Sequence, residues 1–95
     1  MELVFTTAKK VSAMEVEQAC SALGFQLTMK GSLKSLSSNL HWHYKMAKQP
    51  GVLEITLMLS ENKLILNCKK NRMGEWICKA VGELKHALKL IERDV

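Results

Sequence analysis

Leu40-His41-Trp42-His43-Tyr44-Lys45-Met46 is a strict alternation. On an extended chain, successive side chains point to opposite faces. Leu40, Trp42, Tyr44 and Met46 therefore share one face, and His41, His43 and Lys45 share the other. Pro50-Gly51 then marks a turn. The next run, 52–59, repeats the pattern with Leu53, Ile55, Leu57 and Leu59 inward and Glu54, Thr56 and Met58 outward. After Ser60-Glu61-Asn62-Lys63, a third run places Leu64, Leu66 and Cys68 inward and Ile65 and Asn67 outward. Upstream, Phe25, Leu27 and Met29 alternate with Gln26, Thr28 and Lys30. The Ser-rich stretch from Gly31 to Asn39 reads as a loop held to the core by Leu33 and Leu36.

Parity constrains the pairing. Inward residues are even in 40–46, odd in 52–59 and even in 64–68, so antiparallel partners have numbers that sum to an odd value. Placing Leu59 opposite Leu64 sets Leu57 opposite Leu66 and Glu54 opposite Lys69, core to core and acid to base. The expected arrangement of these strands is a meander.

Helical signals flank the strands. Ser12-Ala13-Met14-Glu15 has the spacing of a capping box. Val16, Ala19, Cys20 and Leu23 form an apolar stripe, and Gly24 stands where a left-handed residue ends a helix. The spacing predicts a helix over 13–23. Trp76, Ile77, Ala80, Val81, Leu84, Ala87, Leu88 and Ile91 predict a second over 74–93. Residues 1–11, with Leu3-Val4-Phe5, read as an N-terminal arm or an edge strand. The expected fold class is α+β. One domain over 1–95 carries a four-stranded antiparallel sheet with two helices on one face, in the order α-β-β-β-β-α.

The composition fits a small globular domain, with 95 residues, 47% apolar and 24% charged. The net charge of +5 favours anionic partners. Cys20, Cys68 and Cys78 form no CxxC pair, and read as reduced core thiols of a cytoplasmic protein. No apolar run is long enough to span a membrane, and the N-terminus lacks a signal-peptide pattern.

His41-Trp42-His43 is the most suggestive local feature. Residues two apart on a strand can aim both imidazoles at one point, which begins a metal site. Glu54, across the hairpin, is the natural third ligand, or an acid–base partner of His43. His86 belongs on the other side of the sheet. No serine or cysteine stands in a nucleophile motif, and no cofactor motif is present. Gly31-Ser32-Leu33-Lys34-Ser35 lacks the Gly-Lys-Ser/Thr succession of a phosphate loop.

Lys69-Lys70-Asn71-Arg72 forms a basic cluster leading into the second helix, whose free backbone N–H groups favour anions. Lys30, Lys34 and Lys45 lie on or beside the strands. A helix, an antiparallel sheet and a final helix preceded by lysines resemble, in topology, the double-stranded-RNA-binding domains. That resemblance implies RNA as a ligand. Met58 and Ile65 are expected as neighbours on the outer sheet face, an apolar patch suited to protein association or a homodimer. Sheet edges at 25–30 or 64–68 offer another route. The sequence thus favours a non-enzymatic binding module for RNA or another polyanion. A protein-interaction or assembly subunit is the alternative, and a metal or acid–base site at His41, His43 and Glu54 is third.

Overall fold

The computed structural model describes residues 1–7, 9–33, 36–69 and 73–92. In chain order the elements are β1 (Glu2–Thr7), α1 (Ala13–Ala22), β2 (Gln26–Leu33), β3 (Leu36–Lys45), β4 (Leu53–Met58), β5 (Lys63–Asn67), α2 (Glu75–Ala87) and β6 (Leu90–Glu92). All strands join one antiparallel sheet of spatial order β2-β3-β4-β5-β1-β6. The α+β class, the antiparallel sheet and the two helices stand as expected. The strand count and the element order do not.

Two strands add to the expected four, one within residues 1–11, which read as an arm or an edge strand, and one following α2. β1 lies between β5 and β6, with Leu3 opposite Leu66 and Phe5 opposite Leu64, so it is interior to the sheet. It covers the edge of β5 that the sequence left open. β6 arises because α2 stops early. Leu88 caps the helix, and Lys89 takes a left-handed backbone (φ 52°) that turns the chain into Leu90–Glu92. Ile91, expected in the helix stripe, instead pairs with Thr6 and is exposed.

The expected loop from Gly31 to Asn39 is mostly strand. β2 runs to Leu33 and β3 starts at Leu36, a long hairpin. The anchoring expected of Leu33 and Leu36 concerns side chains outside those described. A bulge also interrupts β2. Leu27 faces Tyr44, but Met29 faces His43, and Thr28 Oγ1 donates to the His43 carbonyl at 3.2 Å. The extra residue turns Met29 to the opposite face from Leu27.

The β4–β5 register differs from the expected one by two residues. Leu57 pairs with Leu64 and Met58 with Lys63, because the chain reverses through residues 59–62 with Asn62 left-handed (φ 50°). Parity survives a two-residue shift, so every side chain keeps its face. Glu54 changes partner, however, and stands opposite Asn67 rather than Lys69.

Helix α1 begins as its sequence dictates. The Ser12 hydroxyl accepts the Glu15 N–H at 3.2 Å, and Ser12 N–H reaches the Glu15 carboxylate at 3.4 Å. Gly24 follows with φ 83°. Both helices join one core with the inner sheet face. Val16 and Cys20 of α1 and Trp76, Ile77, Ala80 and Leu84 of α2 pack with Phe5, Trp42, Tyr44, Leu53, Ile55, Leu57, Leu64 and Leu66. The core has polar fastenings at its rim. Trp42 Nε1 donates to Glu17 at 3.2 Å, Lys30 Nζ lies 2.8 Å from the same carboxylate oxygen, and Trp76 Nε1 donates to the Pro50 carbonyl at 2.9 Å. A Cβ on Gly74 would overlap that Pro50 oxygen, so glycine permits this close approach. Cys20 and Cys68 are buried as expected. Cys78 is exposed, since it sits one residue round the helix from buried Ile77. Among the described residues, no helix is long and apolar enough to cross a membrane.

Candidate metal centre

The uncovered sheet face is organised by the β3–β4–β5 register. His43 stands opposite Glu54, which stands opposite Asn67. In the neighbouring row, His41 stands opposite Thr56, which stands opposite Ile65. Two histidines on one strand and a glutamate on the next therefore converge without any unusual backbone.

The convergence is tight. His41 Nε2 lies 3.0 Å from His43 Nε2, and each lies 3.5 Å from Glu54 Oε1. Glu54 is 93% buried in the sense that only 7% of its surface remains exposed, while the two imidazole side chains keep 21% and 19%. The second carboxylate oxygen, Oε2, is buried and has no hydrogen-bond partner among the described residues. His41 Nδ1 is 2.7 Å from Thr56 Oγ1.

Proton counting shows what this arrangement lacks. With both rings neutral, only one hydrogen fits between the two Nε2 atoms, and it is directed at the other ring, not at Glu54. The carboxylate then meets two nitrogens at 3.5 Å, longer than an ordinary N–H···O bond. A buried carboxylate oxygen without a donor, as Oε2 is among the described residues, is costly. A cation among the three atoms would supply Oε1 with the positive partner that neutral rings do not, and would leave Oε2 as it is. In a tetrahedral zinc site with bonds of about 2.0–2.1 Å, donor atoms stand about 3.3–3.4 Å apart. The observed triangle of 3.0, 3.5 and 3.5 Å brackets that spacing, and a point just out of its plane is about 2.0–2.1 Å from all three atoms. The Thr56 hydroxyl can accept from His41 Nδ1–H, fixing the tautomer whose Nε2 lone pair faces the centre.

Sequence reasoning named His41, His43 and Glu54, and the structure brings them together. It missed Thr56, which the outward parity of 52–59 placed on the correct face but which needed the β3–β4 register to be set beside His41. His86 is exposed on α2 and is not in the group. The basic residues are dispersed by comparison. Lys30 is on the helix-covered face, where its ion pair with Glu17, aided by the Trp42 indole, holds that carboxyl below its usual range. Lys45 and Lys69 are exposed, and Lys34, Lys70 and Arg72 lie outside the described residues. Met58 and Ile65 are both half-buried on the uncovered face, on adjacent strands but not directly opposite. Met58 faces Lys63, and Ile65 faces Thr56.

No known protein family, curated protein or solved structure matches this chain. The topological likeness to double-stranded-RNA-binding domains does not survive the structure, in which β1 precedes α1 and the sheet has six strands.

Proposed function

We propose that this domain binds a divalent transition-metal cation, zinc by preference, through His41 Nε2, His43 Nε2 and Glu54 Oε1. The observation that carries the reading is the triangle of two imidazole nitrogens and one carboxylate oxygen of a buried glutamate. Two imidazoles and a carboxylate suit zinc, whereas magnesium prefers all-oxygen octahedral surroundings. Metal-free protein titrated with zinc is expected to gain about 2.7 kcal/mol at a hundredfold excess over Kd. Magnesium leaves the melting temperature unchanged, and His43→Gln loses the zinc response. An unchanged wild-type melting temperature in excess zinc would mean that the three groups share protons only.

A second reading, polyanion binding, rests on the basic end of the sheet. Tyr44 pairs with Leu53 and Glu54 with Asn67, so the β3–β4 connection and the segment after β5 leave the sheet at the same end. Exposed Lys45, Lys48 and Lys69 belong to those segments. Retention of a mixed RNA pool should fall steeply with salt, because bound phosphates release counterions. The triple change Lys45→Glu, Lys48→Glu and Lys69→Glu is expected to abolish retention, and retention that persists removes this reading.

A further inference from the structure

Resting on the zinc reading, we infer that the centre is an open one, with three protein donors and one exchangeable position that takes a small anionic oxygen donor, a carboxylate or a phosphate. Structural zinc sites are closed by four protein ligands, and sites that act on exogenous molecules keep a position free. Among the described residues, the group holds two histidines and one glutamate and no fourth His, Cys, Asp or Glu. All three Cys residues lie elsewhere: Cys20 and Cys68 are in the core, and Cys78 is on α2.

The fold does not depend on the metal. The continuous core is on the opposite face of the sheet, and it contains none of the three donors. The donors belong to the middle of a paired sheet, His41 and His43 on β3 and Glu54 on β4, so the triangle is held by the strand register with or without a cation. A site that is preorganised and not needed for folding is free to spend its remaining coordination position on a ligand.

Geometry and charge define that ligand. A cation held by all three donors would stand just out of their plane, and both imidazoles retain about a fifth of their surface exposed on the face away from the helices. The fourth direction therefore opens toward solvent. A divalent cation with one carboxylate leaves a local charge of +1 within a chain of net charge +5, which attracts anions. Asn67, directly across from Glu54, brings a side-chain amide into the same row, a neutral donor suited to a second oxygen of the incoming group. Half-buried Ile65, across from Thr56, borders the position with apolar surface. The approach is narrow, because Asn39 and Glu54 on this face are buried while His41 and His43 stay partly exposed. Such an approach would admit a small anion to a bound cation.

Cobalt(II) substitution tests the inference on the intact protein, since its visible absorption reports both binding and coordination. Metal-free protein is titrated with cobalt, and acetate and methyl phosphate are then added separately. The expected result is a tetrahedral cobalt spectrum that shifts saturably with one equivalent of anion per metal. Asn67→Ala retains the cobalt spectrum and requires several-fold more anion for the same shift. A cobalt spectrum indifferent to both anions would overturn the open site while leaving the zinc reading intact. Absence of any cobalt spectrum would overturn both. The stronger of the two anions identifies which oxygen donor the site prefers.

Discussion

On the helix-covered face, Trp42, Leu53, Ile55, Leu57, Leu64 and Leu66 are almost wholly buried and interdigitate with α1 and α2. One residue along the same strands, His41, His43, Glu54 and Thr56 meet one another on a face that no helix covers. The backbone is common to both faces, and so is the register. On one face the register stacks apolar volume, whose stabilisation is non-directional and tolerates small shifts. On the other it sets polar atoms at bonding distances, where a displacement of an ångström decides whether they cooperate. The sheet thus serves as a wall for packing and as a jig for chemistry.

The comparison predicts that damage to the two faces will have different signatures. Trp42→Ala should produce the largest stability loss, about 3–5 kcal/mol, measured by chemical denaturation. A loss below ~1 kcal/mol would mean that the inner face is not the principal source of stability. Gly74→Ala should cost about 1–3 kcal/mol, because the new methyl meets the Pro50 carbonyl where Trp76 is hydrogen-bonded to it. Glu54→Gln should leave the metal-free stability nearly unchanged or improved, since it removes a buried charge, while abolishing the response to zinc. A strong loss of metal-free stability in that variant would tie the outer cluster to folding and erase the distinction between the faces.

The thiols sharpen the same contrast. Burial pushes the Cys20 thiol up to about 12 and raises that of Cys68, so both stay protonated and shielded at neutral pH. Cys78 alone among the three is exposed. One thiol per chain should react promptly with a disulfide reagent, and Cys78→Ser should eliminate that reaction. The smallest effect belongs to Glu17. Its carboxyl is held low, first by the hydrogen bond from Lys30, so its contribution is present above the ordinary carboxylate range and fades as pH falls through the lowered value. Glu17→Gln should flatten that acid limb slightly, and an unaltered limb would show that the exposed ion pair contributes nothing.

Alternation made the inner and outer faces legible, because parity is blind to a two-residue error in register. That is why Trp42 and Tyr44 were placed in the core and His41, His43 and Glu54 outside it. The same blindness put Glu54 opposite Lys69. Only the turn geometry at Asn62 corrects this, and the correction takes a lysine away from the carboxylate and leaves it to the histidines. Helix starts were marked by chemistry, as at Ser12. The end of α2 was not. Left-handed caps are usually glycine or asparagine, and here the position is taken by Lys89, which carries no such signal. The helical stripe consequently runs on from Leu88 to Ile91 and conceals β6. For β1 the sequence allows an arm or an edge strand, and only its interior place in the sheet is not legible. Its partners, β5 and β6, are distant in sequence, and no local pattern announces a long-range pairing.

The pairing of β1 with β6 has a mechanical consequence. Phe5 lies beside Glu92, so the first and last strands run antiparallel as neighbours. Tension applied at the two ends would pull on this short ladder first and peel it bond by bond, releasing β6 while the five other strands remain joined. The same adjacency suits circular permutation. A linker from Glu92 to Glu2, with a new opening among residues 60–62, would preserve the strand pairs and change only the order in which the chain visits them.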